Sequence, residues 1–126
     1  MEPLSTQVNS AAEKQSILLT LNDYLQGRPV LDIERMRAAF HPGAIIRTTI
    51  DGKLRQWALP EYLDLVATLT VQECQPEVVS YSWDGDTGSA VVQITFATFR
   101  FIDRFNLMKL DGKWVIVDKV SYRQEL

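Results

Sequence analysis

The sequence predicts an α+β domain in which three helices from the N-terminal half pack on one face of a strongly curved, mostly antiparallel six-stranded sheet. Three observations lead there. The apolar residues of the first third recur at helical spacing, whereas those of the last half alternate as strands do. Asp51-Gly52 and Asp111-Gly112, with a further glycine at Gly85, break the β-rich stretches where two-residue hairpin turns would fall. Helices gathered early and hairpin-linked strands gathered late describe helices stacked on a sheet, not the alternating units of a parallel fold.

The residues before about position 10 show no period and read as a loose lead-in, part of which could extend the first helix. From Ala11 to Gln26, Ile17, Leu18, Leu21, Tyr24 and Leu25 form one apolar stripe, and Gly27 stops the helix. Asp32 caps a second, short helix through Phe40, with Ile33, Met36 and Phe40 on one face. His41-Pro42-Gly43 ends it. Strands are expected over Ala44 to Ile50 and Lys53 to Trp57, then a third helix from Pro60 to about Leu69 that buries Tyr62, Leu63 and Val66. Glu77 to Trp83 and Ser89 to Thr98 form the next strand pair, with Val79, Tyr81 and Trp83 sharing a face.

The Phe99 to Tyr122 stretch, FRFIDRFNLMKLDGKWVIVDKVSY, completes the sheet as a long hairpin around Asp111-Gly112. With those two as the turn, Lys109 faces Trp114, Leu107 faces Ile116, Phe105 faces Asp118, Asp103 faces Val120 and Phe101 faces Tyr122. That face is mostly large and apolar and should look inward. The other face mixes Ile102, Met108, Leu110, Val115 and Val117 with Arg104, Asn106, Lys113, Lys119 and Ser121. It is too apolar to be wholly solvated, which predicts a two-fold homodimer closed over it.

At 126 residues the chain fits a single domain spanning 1-126, long enough to bury roughly two-thirds of its unfolded surface. Its 13 basic and 16 acidic residues give a net charge of −3 with no Lys/Arg cluster, which argues against nucleic acid as a partner. No apolar run approaches the ~20 residues of a membrane span. The polar start MEPLSTQVNSAAEKQ lacks the basic beginning and apolar core of a secretion signal, so a cytoplasmic location is expected. One cysteine and one histidine leave no ligand set for zinc and no internal disulfide. Neither a metal nor a cofactor is expected.

The order helix, helix, His-Pro, hairpin, helix, four long strands resembles the nuclear-transport-factor-2-like superfamily, and within it the putative lumazine-binding, SnoaL-related branch. The resemblance rests on Phe40-His41-Pro42, the Gly85 turn with Ala90, Phe101 and Asp103, Leu107, Asp111-Gly112-Lys113-Trp114, Ile116, Lys119 and Tyr122, and runs from about Ser16 onward. It implies a cystatin-like cone with a pocket between helices and sheet. It also implies a range of activities: small-molecule binders, isomerases, dehydratases, cyclases and non-catalytic partner domains. The branch name implies a flavin-precursor ligand. Many relatives carry an acidic residue where this chain has Gly43, and Arg47 stands on the strand where a steroid isomerase would need a carboxylate base.

The candidate residues follow from chemistry. Asp103, flanked by Phe101 and Phe105, is costly to ionise unless paired. It is either a pocket acid able to hold or protonate a ligand oxygen, or a buried structural acid matched by a cation. Lys119 lies on the opposite face in the simple register and could reach it only through a bulge. His41 titrates near neutrality and is the natural general base, or else caps the second helix. Paired, Asp103 and His41 would make an acid/base dyad for isomerisation, dehydration or cyclisation. Arg47 could fork onto a ligand carboxylate or phosphate, and Tyr24, Trp57, Tyr62, Tyr81 and Trp83 could supply aromatic walls with polar tips, most of them core. Cys74, in a connection without a nearby histidine, is a poor nucleophile. The leading functional expectation is a pocket that binds a small, partly apolar organic molecule. A catalytic version of that pocket and a pocketless dimeric partner module are the alternatives.

Overall fold

The computed structural model describes residues 3–126, with side chains from Ser10 onward. Helix α1 runs from Pro3 to Gly27 and takes in most of the segment read as a lead-in. A 3-10 turn over Arg28–Val30 leads to α2 (Ile33–Ala39), where the Asp32 side chain accepts from the Arg35 amide. The strands are β1 (Phe40–Ile50), β2 (Lys53–Ala58), β3 (Gln75–Asp84), β4 (Thr87–Thr95), β5 (Phe99–Leu110) and β6 (Lys113–Glu125), and α3 (Leu59–Ala67) sits between β2 and β3. They form one six-stranded sheet in the order β2-β1-β6-β5-β4-β3. The β1–β6 pair is parallel and the other four are antiparallel.

Local chemistry sets the turns. Asp51-Gly52 and Asp111-Gly112 have φ of 54°, 75°, 50° and 79°, the left-handed pairs that let a two-residue hairpin match strand twist. The helices bury Ile17, Leu21, Tyr24, Met36, Leu63 and Val66 against Val92, Ile94, Phe105, Leu107, Trp114 and Ile116 of the sheet. Directed bonds fix the docking of α1. Thr20 Oγ1 donates to the Trp114 carbonyl at 2.7 Å, and Lys109 Nζ reaches Glu13 Oε1 at 2.8 Å.

Two bulges change which side chains face inward. Near the turn, β5 and β6 pair as alternation predicts, with Lys109 opposite Trp114 and Leu107 opposite Ile116. The register then shifts, and Asn106 pairs with Asp118, leaving Val117 as the extra residue. From there every β6 side chain changes face relative to the simple register. Phe105 faces Lys119 rather than Asp118, and Asp103 faces Ser121 rather than Val120. Tyr122, expected inside opposite Phe101, is 59% exposed beside Ile102. Lys119 and Ser121 leave the outer face, and Val120 and Tyr122 take their places. A second bulge between Val78 and Ser80 turns Val79 outward and Val78 toward the core, so Val79 does not share a face with Tyr81 and Trp83.

The second helix ends one residue earlier than expected. Phe40 is already extended and pairs with Ile116, so His41-Pro42-Gly43 lies inside β1, at its irregular start, and not at a helix end.

Candidate functional site

Helix α1 contributes Tyr24 to a polar cluster, α3 contributes Tyr62, β5 contributes Asp103, and the post-bulge part of β6 contributes Lys119 and Ser121. Asp103 and Lys119 are 1% and 4% exposed, an ionisable pair inside an otherwise apolar core. Each bond in the cluster has a direction. The Tyr24 hydroxyl donates to Asp103 Oδ2 at 2.7 Å, and Ser121 Oγ donates to Asp103 Oδ1 at 2.6 Å. Lys119 Nζ lies 3.9 Å from Asp103 Oδ2 and donates to the hydroxyls of Tyr24 at 2.9 Å and Tyr62 at 2.6 Å. The ammonium also lies 5.1 Å and 4.4 Å from the ring centres of Tyr24 and Tyr62, near enough for their π-faces to add to its solvation.

Burial pushes the Tyr24 hydroxyl well above its usual value near 10, and the Asp103 carboxylate, Tyr62 and the hydrogen bond to Asp103 push the same way. The Arg28 guanidinium opposes them. Tyr24 therefore stays a neutral donor that holds Asp103 in place.

Beside the cluster lies a cavity of about 220 Å³, lined by Tyr24, Arg28, Ile46, Thr48, Trp57, Tyr62, Leu65, Val66, Leu69, Phe101, Lys119 and Ser121. About 10–15 Å³ of such space suffices for one water, so the cavity has room for a small organic molecule. Leu65 and Leu69, each 44% exposed, are the lining residues that reach the surface. The walls are aromatic and aliphatic, and polar groups converge at the cluster end, the usual construction of a small-molecule site.

Asp103 itself is set back. Both of its oxygens are occupied, and the groups that face the cavity are the donors it orients. Tyr62 accepts from Lys119, and among the described residues no acceptor takes the Tyr62 hydroxyl proton. That proton and the third hydrogen of Lys119 are the donors left for a guest.

Of the eight residues singled out from sequence, Tyr24, Trp57 and Tyr62 line the cavity, Asp103 anchors its polar end, and Tyr81 and Trp83, stacked on each other with ring centres 6.4 Å apart, do not line it. The other two are elsewhere. Arg47 sits between the inward Ile46 and Thr48 on β1, so its side chain is on the opposite face, where Nε donates to Gln56 Oε1 at 2.9 Å. His41 is exposed, and its Nδ1 accepts from the Gly43 amide at 2.9 Å. It does not meet Asp103, whose carboxylate is taken by Tyr24, Ser121 and Lys119, and it caps its own turn instead of the second helix. Burial raises the Cys74 thiol above its usual 9.0, which disfavours thiolate. Among the described residues no three His, Cys, Asp or Glu side chains gather closely enough to hold a metal ion.

Lys119, Ser121, Thr48 and Arg28 were not picked out as site residues. For Lys119 and Ser121 the available signal was energetic. A carboxylate between Phe101 and Phe105 needs a cation, and a one-residue bulge brings Lys119 within reach.

Residues 12–122 match the model of the family described as "Putative lumazine-binding". The chain belongs to that family. It is similar to a nuclear-transport-factor-2-like protein of unknown function from Shewanella baltica at 28% identity and a TM-score of 0.85, with 90% of this chain and 95% of that one covered. A nuclear-transport-factor-2-like protein of unknown function from Methylobacillus flagellatus matches at 29% identity and a TM-score of 0.81, covering 90% and 93%. A protein with a cystatin-like fold from Nostoc punctiforme, at 12% identity, a TM-score of 0.71 and coverage of 90% and 92%, shares the fold. No curated protein matches the chain. The chain thus has the nuclear-transport-factor-2-like architecture expected of it, with three helices on a mostly antiparallel sheet that does not close.

Proposed function

We propose that this chain binds a small, partly apolar organic molecule in the cavity between its helices and sheet, and holds an acceptor atom of that molecule with Tyr62 and Lys119. The observation that carries this reading is the donor arrangement. Lys119 is buried and charge-matched by Asp103, yet it and the Tyr62 hydroxyl line an aromatic-walled cavity, and among the described residues no acceptor within hydrogen-bond reach takes the Tyr62 proton or the third lysine hydrogen. A buried donor without an acceptor costs about 1–3 kcal/mol, and a guest carbonyl or ring nitrogen would recover that. The family description fits a ligand of this size.

The lining favours binding over acid/base catalysis. Among the described residues it contains no carboxylate and no imidazole, so neither Asp103 nor His41 faces the cavity as the acid or base of an isomerisation, dehydration or cyclisation. His41 and Asp103, the pair such chemistry would use, are apart.

The chain is further proposed to act in the cytoplasm as a homodimer closed over the outer sheet face. After the bulge that face carries Val120 and Tyr122, 48% and 59% exposed and opposite Arg104 and Ile102, with Met108 and Leu110 on the same face nearer the turn, and a second copy is the occupant a self-complementary apolar sheet face suits. Light scattering at micromolar concentration is expected to give twice the monomer mass, and a monomer would contradict the dimer.

The pocket reading is tested by thermal unfolding with pterins, flavins, steroids and short organic acids, since a ligand of the folded state raises the melting temperature. The expected result is a rise for wild type with an acceptor-bearing compound, reduced in Tyr62→Phe and abolished in Leu65→Trp, which fills the cavity from a lining position that reaches the surface. An equal rise in wild type and Leu65→Trp would put the ligand elsewhere.

A further inference from the structure

The two cations of the cavity are not equivalent. Lys119, at the inner end, is already matched by Asp103 at 3.9 Å, so a second anion there would leave two negative charges against one positive in a desolvated place. Arg28, which lines the same cavity from the turn after α1, has no such match. None of the ion pairs among the described residues includes it, and its guanidinium lies 5.8 Å from the ring centre of Phe101.

Next to the cavity, and sharing Arg28, Leu69 and Phe101 with it, is a crevice of about 140 Å³ floored by Phe96 and Phe99. Arg123 covers the Phe99 ring at 3.9 Å on the far side of this crevice, but Glu125 Oε1 engages it at 2.9 Å. Arg28 is thus, among the described residues, the partly buried positive charge without an acidic partner where cavity and crevice join, and no acidic side chain of those residues lines either space.

We infer that the ligand is an amphipathic organic anion that enters with a neutral carbonyl-type acceptor toward Lys119 and Tyr62, lays its apolar body along Phe101 and Leu69, and leaves its oxyanion on Arg28. The inference rests on the pocket reading above and adds the charge and orientation of the guest. The oxyanion is a carboxylate or a phosphate monoester, since both suit the planar fork of an arginine. The lysine end selects against charge and the arginine end requires it.

Four probes separate the terms by calorimetry: 4-acetylphenylacetate, its methyl ester, 4-ethylphenylacetate, and 4-acetylphenyl phosphate. The acid is expected to bind at least about tenfold more tightly than its ester in wild type, the size of one charged hydrogen-bonded contact. In Arg28→Gln, a substitution at a partly exposed site, acid and ester should bind alike. The ethyl compound, which lacks the carbonyl, should bind more weakly than the acid and be insensitive to Tyr62→Phe. A tighter fit for the phosphate than for the acid, again lost in Arg28→Gln, would narrow the oxyanion to a phosphate monoester.

Acid and ester binding equally in wild type, with both weakened by Tyr62→Phe, would overturn the anion assignment and leave the pocket reading standing. A preference for the acid that persists in Arg28→Gln would overturn the role of Arg28. Binding by none of the four would overturn both.

Discussion

The two halves of the β5–β6 ribbon grow from one turn and carry opposite chemistry on the same inner face. Between the turn and the bulge, the side chains of Leu107, Trp114 and Ile116 are buried in the apolar core against the helices and line no cavity. Beyond it, Asp103, Lys119 and Ser121 occupy that face and line or anchor a cavity. One extra residue, Val117, separates them. With Val117 paired instead of bulged, Val120 and Tyr122 would point inward, and Asp103 would face a valine. A bulge therefore acts here as a switch of face parity, turning a hydrophobic ribbon into one whose far end is a polar site.

The contrast is broken most severely in the packing half. Ile116→Ala removes a fully buried side chain and should cost about 2–5 kcal/mol in urea unfolding while leaving ligand affinity per folded molecule unchanged. Affinity falling in step with stability would mean that the two halves are not separable.

In the polar half, Tyr24→Phe leaves Asp103 Oδ2 without its hydroxyl donor and should cost about 1–3 kcal/mol. It should also change the alkaline limb. The Tyr24 hydroxyl keeps its proton in the folded state above the pH at which the unfolded chain loses it, so its contribution is complete below about pH 10 and is lost as pH rises further. Denaturation midpoints from pH 9 to 11 are expected to fall less steeply in Tyr24→Phe than in wild type. Parallel slopes would remove Tyr24 from the account.

The sequence made the architecture legible because its signals there are local. Asp51-Gly52 and Asp111-Gly112 announce left-handed turns wherever they occur, and the spacing of Ile17, Leu21 and Tyr24 needs no partner to mark a helix face. The site was legible in part. Tyr24, Trp57, Tyr62 and Asp103 are large or costly enough to declare themselves, and they do gather at the cavity.

What was missed depends on parity and on contacts far apart in the chain. Ile45 and Ile46 are equally apolar, so nothing in the alternation says which of Arg47 and Thr48 faces inward, and Thr48 does. The Val115-Ile116-Val117 run suits either face, and no glycine marks the bulge within it. His41 looked like a helix end because Phe40 continues the stripe of α2, but Phe40 pairs with Ile116 instead. Each of these choices is settled by a partner from another strand.

A double-mutant cycle on Asp103 and Lys119 tests most directly the claim that the bulge brings these two together. Asp103→Asn and Lys119→Met should each cost about 3–5 kcal/mol, because each leaves a buried charge unmatched. The double variant should be more stable than the sum of the two by more than about 1 kcal/mol, since it leaves neither charge behind. Additivity to within about 0.5 kcal/mol would mean that Lys119 does not face Asp103, and the polar end of the cavity would have to be assigned to other residues.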